Sequence, residues 1–168
     1  VIFTYTASGQ RASMQDASGS TTYSYDNRDR LLAKVTPQGT LNYRYDVAGN
    51  LTNIHSNHSG GAAMDYAYDA RNRLASVTDA SGSTTYSYDA VGNLAGFLYP
   101  NGVQTSYTYN TLNRLTNVTG ARTATLASYT YTLGPSGNRT AVTEANGRQV
   151  DYTYDDLYRL KSETISAD

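Results

Sequence analysis

Residues Asp16 to Asp26 read Asp-Ala-Ser-Gly-Ser-Thr-Thr-Tyr-Ser-Tyr-Asp, and the same eleven residues return at 79–89. Around these two copies a looser unit recurs. It opens with Tyr-x-Tyr, or Phe-x-Tyr once, and its second tyrosine falls at Tyr5, Tyr25, Tyr45, Tyr68, Tyr88, Tyr109, Tyr131 and Tyr154. The spacing is 20 to 23 residues, and fifteen of the seventeen tyrosines sit in these frames. A period of that length marks a repeat architecture, in which each unit is one supersecondary element.

Each unit reads as a β-hairpin. The Thr-, Ser- and Tyr-rich run through Tyr-x-Tyr favours an extended strand. Residues i and i+2 of a strand share a face, so both rings of a pair point the same way. The pairs Tyr23 and Tyr25, Tyr43 and Tyr45, Tyr66 and Tyr68, Tyr86 and Tyr88, Tyr107 and Tyr109, and Tyr152 and Tyr154 are therefore expected on one packed face. After each pair comes Asp26, Asp46, Asp69, Asp89 or Asp155, with Asn110 in a sixth unit. Asp or Asn at the start of a turn can accept from the backbone two residues on.

Four residues after the second tyrosine stand Gly9, Asp29, Gly49, Asn72, Gly92, Asn113 and Tyr158. Gly137 takes this place in the seventh unit if two extra residues intervene. Gly, Asn and Asp tolerate a left-handed backbone, and a type I turn ending in one left-handed residue is a common hairpin loop. Positive φ is thus expected at Gly49, Gly92, Asn72 and Asn113. The chain returns through a leucine (Leu31, Leu51, Leu74, Leu94, Leu115, Leu160) and then Val35, Ile54, Val77, Phe97 or Val118. A second turn bearing glycine leads into the next tyrosine strand. In most units the leucine and the next apolar residue are three apart, which in a regular strand would put them on opposite faces. Either a bulge lies between them or both faces are partly covered.

Eight such hairpins over residues 1–168 give an all-β chain, one array of tandem hairpins in a long antiparallel sheet that curls or spirals. Sheets of that many strands rarely stay flat and open. The composition agrees. Leu, Val, Ile and Phe make up 27 of 168 residues, and the 17 tyrosines supply the missing apolar mass. Tyrosine buries a ring while its hydroxyl keeps a hydrogen bond, which suits a surface half covered and half wet.

With no cysteine there is neither a disulfide framework nor a thiolate metal site. No apolar run is long enough to span a membrane. Thirteen basic residues against fourteen acidic ones leave a net charge of −1 and no basic footprint for nucleic acid. The chain begins at Val1 without a leader pattern, so it is expected to be a portion of a longer or processed protein.

The pattern Tyr-Asp-x-x-Gly-Arg/Asn-Leu-x-x-Val/Ile, as in Tyr45-Asp46-Val47-Ala48-Gly49-Asn50-Leu51 and Tyr68-Asp69-Ala70-Arg71-Asn72-Arg73-Leu74, resembles the YD repeats of the Rhs family. That family includes bacterial Rhs toxins, the shell of insecticidal toxin complexes and animal teneurins. The resemblance implies a sheet wound into a hollow shell and a secreted or cell-surface bacterial protein. Toxin members enclose a payload that a self-cleaving segment releases. This sequence has neither segment, so proteolysis and toxicity are not implied for it.

Little else in the sequence points to chemistry. His55 and His58, with Asp65 nearby, could begin a metal site, but closed zinc sites want four ligands and a polar hairpin loop explains the pair. Asp155 and Asp156 are adjacent, so on a strand they point apart. No nucleophile elbow or phosphate-binding fingerprint occurs. Neither catalysis nor a cofactor or metal is expected. Asp26 and Arg30, Asp69 and Arg73, and Asp155 and Arg159 should meet across hairpin mouths as turn-closing ion pairs. The expected partners are further repeats of the same chain, or identical subunits, joined through edge strands. Two alternatives stand beside the scaffold reading. One is an adhesive module whose tyrosine rows bind glycan or a partner surface; the other is a subunit of a self-assembling extracellular fibre or tube.

Overall fold

The computed structural model describes residues 1–166 and contains sixteen strands and no helix. The chain divides into two compact bodies, Val1–Ser83 and Thr84–Asp168. In the first lie β1 (Ile2–Tyr5), β2 (Arg11–Asp16), β3 (Gly19–Tyr25) and β4 (Leu31–Thr36). They are followed by β5 (Gly39–Tyr45), β6 (Leu51–Ser56), β7 (Ala63–Tyr68) and β8 (Leu74–Asp79). Most of strand β9 (Gly82–Tyr88) belongs to the second body, with β10 (Leu94–Leu98), β11 (Gln104–Tyr109) and β12 (Leu115–Ala121). It ends with β13 (Thr125–Leu133), β14 (Arg139–Glu144), β15 (Gln149–Tyr154) and β16 (Leu160–Ile165). Within each body strand order follows chain order, with antiparallel pairing.

The spacing of leucine and valine is resolved by a bulge beside the second tyrosine. Tyr45 lies opposite Leu51 while Arg44 lies opposite Asn53, so Thr52 is the extra residue. The same shift occurs at Tyr5, Tyr25, Tyr68, Tyr109 and Tyr154. One inserted residue restores the face. Leu51 and Ile54 therefore both stand on the tyrosine side, opposite Tyr45 and Tyr43.

The second hairpin settles its faces differently, and the frame of the seventh needs correction. In the second hairpin Lys34, not Val35, faces Tyr23; Val35 lies opposite Thr22 on the other side and is 43% exposed. The bulge and the one extra residue of this hairpin move the lysine onto the tyrosine face. In the seventh hairpin Tyr131 pairs with Val142 and Leu133 with Arg139. Tyr131 thus holds the place of a first tyrosine, Leu133 that of the second and Arg139 that of the leucine. Gly137 follows Leu133 by four residues, and no extra residues intervene.

A single layer has little interior. Only Ala141, Val142 and Val150 are buried apolar side chains, with Thr21 the one buried polar residue, among the described residues. The surface of 10871 Å² exceeds the roughly 8,100 Å² expected of a globular monomer of this size. Tyrosines 23, 25, 43, 45, 66, 68, 86, 88, 107, 109, 152 and 154 are half-buried, and the residue between each pair is exposed. Within each body the tyrosine side is therefore the better covered one.

Candidate functional surface

The tyrosine face is organised by three recurring devices, of which the first is the turn. In the third hairpin Asp46 Oδ1 accepts from the backbone N–H of Gly49 and of Asn50, both at 2.8 Å. Its Oδ2 accepts from Asn50 Nδ2 at 2.9 Å. Asp89 does the same with Gly92 and Asn93. Where arginine follows the left-handed residue, its guanidinium replaces the amide. Asp26–Arg30, Asp69–Arg73 and Asp155–Arg159 close their turns at 2.7 Å. Both residue types at this position are thus explained by one acceptor, Oδ2 of the aspartate.

Gly49 and Gly92 have φ of 100 and 106, and Asn72 and Asn113 have 58 and 57. Asp29 and Tyr158 share the left-handed region at 57 and 58. The turn aspartates are acidified. Asp46 is held below the ordinary 3.8 chiefly by the Asn50 side chain, and Asp26, Asp69 and Asp155 chiefly by the backbone N–H four residues on. At Asp89 burial pushes upward, but Asn93 and the turn N–H groups together outweigh it. Asp16 and Asp79, in the opposite turns, are lowered mainly by the hydroxyls of Ser18 and Ser81.

The second device is a tyrosine clip that the sequence did not reveal. Pairing between successive hairpins is short: β4 and β5 pair only from Ala33↔Asn42 to Thr36↔Gly39, which leaves Leu31 beyond the ladder. There the hydroxyl of Tyr45 donates to the Leu31 carbonyl at 3.0 Å. Tyr25 reaches Arg11, Tyr68 reaches Leu51, Tyr109 reaches Leu94 and Tyr154 reaches Arg139 in the same way, at 2.7–3.0 Å. The second tyrosine therefore closes the gap where neighbouring hairpins splay. Burial raises the hydroxyls of Tyr45, Tyr68 and Tyr109 above the ordinary 10.0.

Contacts between adjacent turns form the third device. Asn50 Nδ2 donates to Asn72 Oδ1, and Asn93 Nδ2 to Asn113 Oδ1, both at 3.1 Å. Arg30 lies over the Tyr45 ring with Cζ 4.5 Å from its centroid. Elsewhere on this face Phe97 gathers Tyr86, Tyr99 and Tyr107 at centroid distances of 5.8, 5.1 and 6.1 Å.

Of the remaining polar candidates, His58 and Asp65 are engaged locally. His58 Nδ1 lies 2.8 Å from the Ser59 carbonyl, and Asp65 accepts from Asn53 at 2.8 Å. No group of three or more metal-ligating side chains forms among the described residues. No helix there is long and apolar enough to cross a membrane.

Bulged hairpins joined in series, with turns capped by Asp or Asn and a tyrosine clip at Tyr25, Tyr45, Tyr68, Tyr109 and Tyr154, define a tandem β-hairpin repeat protein. The RHS repeat model matches residues 5–41, 68–96, 88–125 and 135–168. The chain belongs to the RHS repeat family. Comparison with curated protein sequences gives no match. Solved structures share the fold. The crystal structure of TcdB2-TccC3-TEV matches at TM-score 0.77 and 19% identity over 96% of this chain. That of TcdB2-TccC3 matches at 0.76 and 19% over 96%, and the form of TcdB2-TccC3 without its hypervariable C-terminal region at 0.72 and 17% over 88%. This chain spans only 9–10% of those chains.

Proposed function

We propose that residues 1–168 are one array of eight hairpins serving as a wall or scaffold segment of a secreted or surface-exposed bacterial shell, without catalysis of its own. The observation that carries this reading is the tyrosine clip, present at Tyr25, Tyr45, Tyr68, Tyr109 and Tyr154. A side chain spent on joining each hairpin to the one before it serves continuity of the sheet. The tyrosines named above, the turn aspartates and Gly49 and Gly92 are then residues of the scaffold. Further repeats, in the same polypeptide or in identical copies, cover the end strands β1 and β16.

Electron microscopy of the purified chain tests this. Curved walls built edge to edge support the scaffold. Discrete monomers that bind immobilised glycan would favour the adhesive reading, and unlimited filaments the fibre.

A further inference from the structure

At the junction between the sixth and seventh hairpins the repeat departs from its regular form in four positions. Leu133 stands where the other regular hairpins carry the clipping tyrosine. The splayed gap beside Leu115 is therefore uncovered, and a concavity of about 510 Å³ opens there. Arg139 stands where a leucine is usual, with its Cζ 4.2 Å from the Tyr131 ring centroid. Asn110 and Gly134 replace the turn aspartates of the two hairpins.

The last change alters the charge. Arg30, Arg73 and Arg159 each have an aspartate four residues earlier and pair with it. Arg114 has Asn110, which caps the turn through Oδ1 but carries no charge. Arg114 Nη1 donates instead to the Pro135 carbonyl at 3.1 Å. Gly137 lets the guanidinium lie against the turn, since a Cβ there would be 2.8 Å from Cζ. Neither Arg114 nor Arg139 has a carboxylate partner among the described residues. Both line the concavity, together with Leu115, Leu133, Tyr152 and Tyr154.

We infer that this junction is a binding site for an acidic sugar, a pyranose ring bearing a carboxylate. Guanidinium forks match a carboxylate in a plane with two donors, and the site is of ligand size. The Tyr152 ring and the leucines offer an apolar surface that suits the C–H face of a sugar ring. The Tyr152 hydroxyl, without a hydrogen-bond partner among the described residues, is free to meet a ring hydroxyl. A bare phosphate would satisfy the arginines and leave those apolar walls uncovered. Glu163, opposite Tyr152, lines the adjoining concavity with Arg139 and works against the anion. The inference goes beyond the scaffold role and does not depend on it.

Equilibrium dialysis of the 168-residue chain tests the site whether or not the chain associates. Glucuronate should bind with Kd on the order of 1 mM, as its atom count allows. Glucose and inorganic phosphate should each bind at least about tenfold more weakly. Leu133→Tyr and Arg139→Leu restore residues that the regular hairpins carry, so they should keep the fold; each should weaken glucuronate about tenfold or more. Glu163→Gln should strengthen it, and Arg44→Gln, on a strand of the other body, should leave it unchanged. Arg114→Gln carries the same test if either restoring variant loses its circular dichroism. Phosphate binding as tight as glucuronate would reduce the site to a plain anion patch and overturn the assignment. So would the absence of glucuronate binding, or binding that none of the three pocket variants weakens.

Discussion

The hydroxyl of Tyr45 donates to the carbonyl of Leu31 at 3.0 Å, two residues beyond the point where the backbone ladder between their strands stops. The contact joins one hairpin to the bulge of the hairpin before it. It puts a side chain where a sheet would ordinarily need a backbone pair, and it explains why tyrosine and not phenylalanine recurs at this position.

Removing that hydroxyl should therefore cost more than its exposure suggests. Tyr45→Phe is expected to destabilise by about 1 kcal/mol, the usual net worth of such a bond. Tyr45→Ala also loses the half-buried ring, and about 2–3 kcal/mol is expected. Urea unfolding followed by circular dichroism measures both. A phenylalanine variant as stable as the parent would show that the clip contributes nothing.

Backbone conformation gives a second prediction, with opposite signs at two equivalent positions. Gly49 has φ of 100, and Cβ at that site would meet only Arg30 Nη1, at 3.7 Å. The penalty of Gly49→Ala is then conformational, about 1–2 kcal/mol. Tyr158 occupies the same turn position with φ 58 and is 64% exposed. Tyr158→Asn should stabilise, by about 0.5–1 kcal/mol, because asparagine tolerates that region and little packing is lost. A shift to higher urea midpoint for the first, or to lower for the second, contradicts the turn assignment.

The hairpin count, the turns and the positive-φ residues were legible because each is a local rule about neighbouring residues. What sits opposite what was not. The face of Lys34 depends on a bulge whose place the chain does not spell out, and the frame of the seventh hairpin was read from Tyr129 and Tyr131 when Leu133 holds the second position. The clip between Tyr45 and Leu31 was invisible for a further reason. It depends on where the ladder between hairpins ends, a property of how two units splay. The concavity at Leu115 follows from that splay too.

Acid should unfold the protein through its turns. Asp16, Asp26, Asp46, Asp69, Asp79, Asp89 and Asp155 all titrate below the ordinary 3.8 when folded. A depressed folded value means that the unfolded chain takes up protons first. The stabilisation is complete above the unfolded value and is lost as pH falls through the lower, folded ones. Tyr45, Tyr68 and Tyr109 are raised above 10.0, so their contribution is present below that value and is lost as pH rises through the folded ones. Urea midpoints should thus be level between about pH 5 and pH 9 and fall on both sides. Asp46→Asn should flatten the acid limb. A midpoint unchanged down to pH 2 would remove the aspartates from the account.

The end strands carry the last prediction. Among the described residues β1 pairs only with β2, and β16 only with β15. Each leaves a row of backbone donors and acceptors open to another strand. Apolar side chains accompany both rows: Ile2 is 69% and Phe3 40% exposed on β1, and Leu160 57% and Ile165 52% on β16. β1 carries no charged side chain and β16 only Lys161 and Glu163, so neither edge has the dense lysine that natural edge strands use against pairing. The chain should accordingly associate as its concentration rises. Phe3→Lys with Ile165→Lys puts one charge on each edge without removing a backbone donor, and should return it to the monomer. Light scattering over a concentration series compares the two. A parent chain that stays monomeric and cooperatively folded at high concentration would show that these edges need no partner.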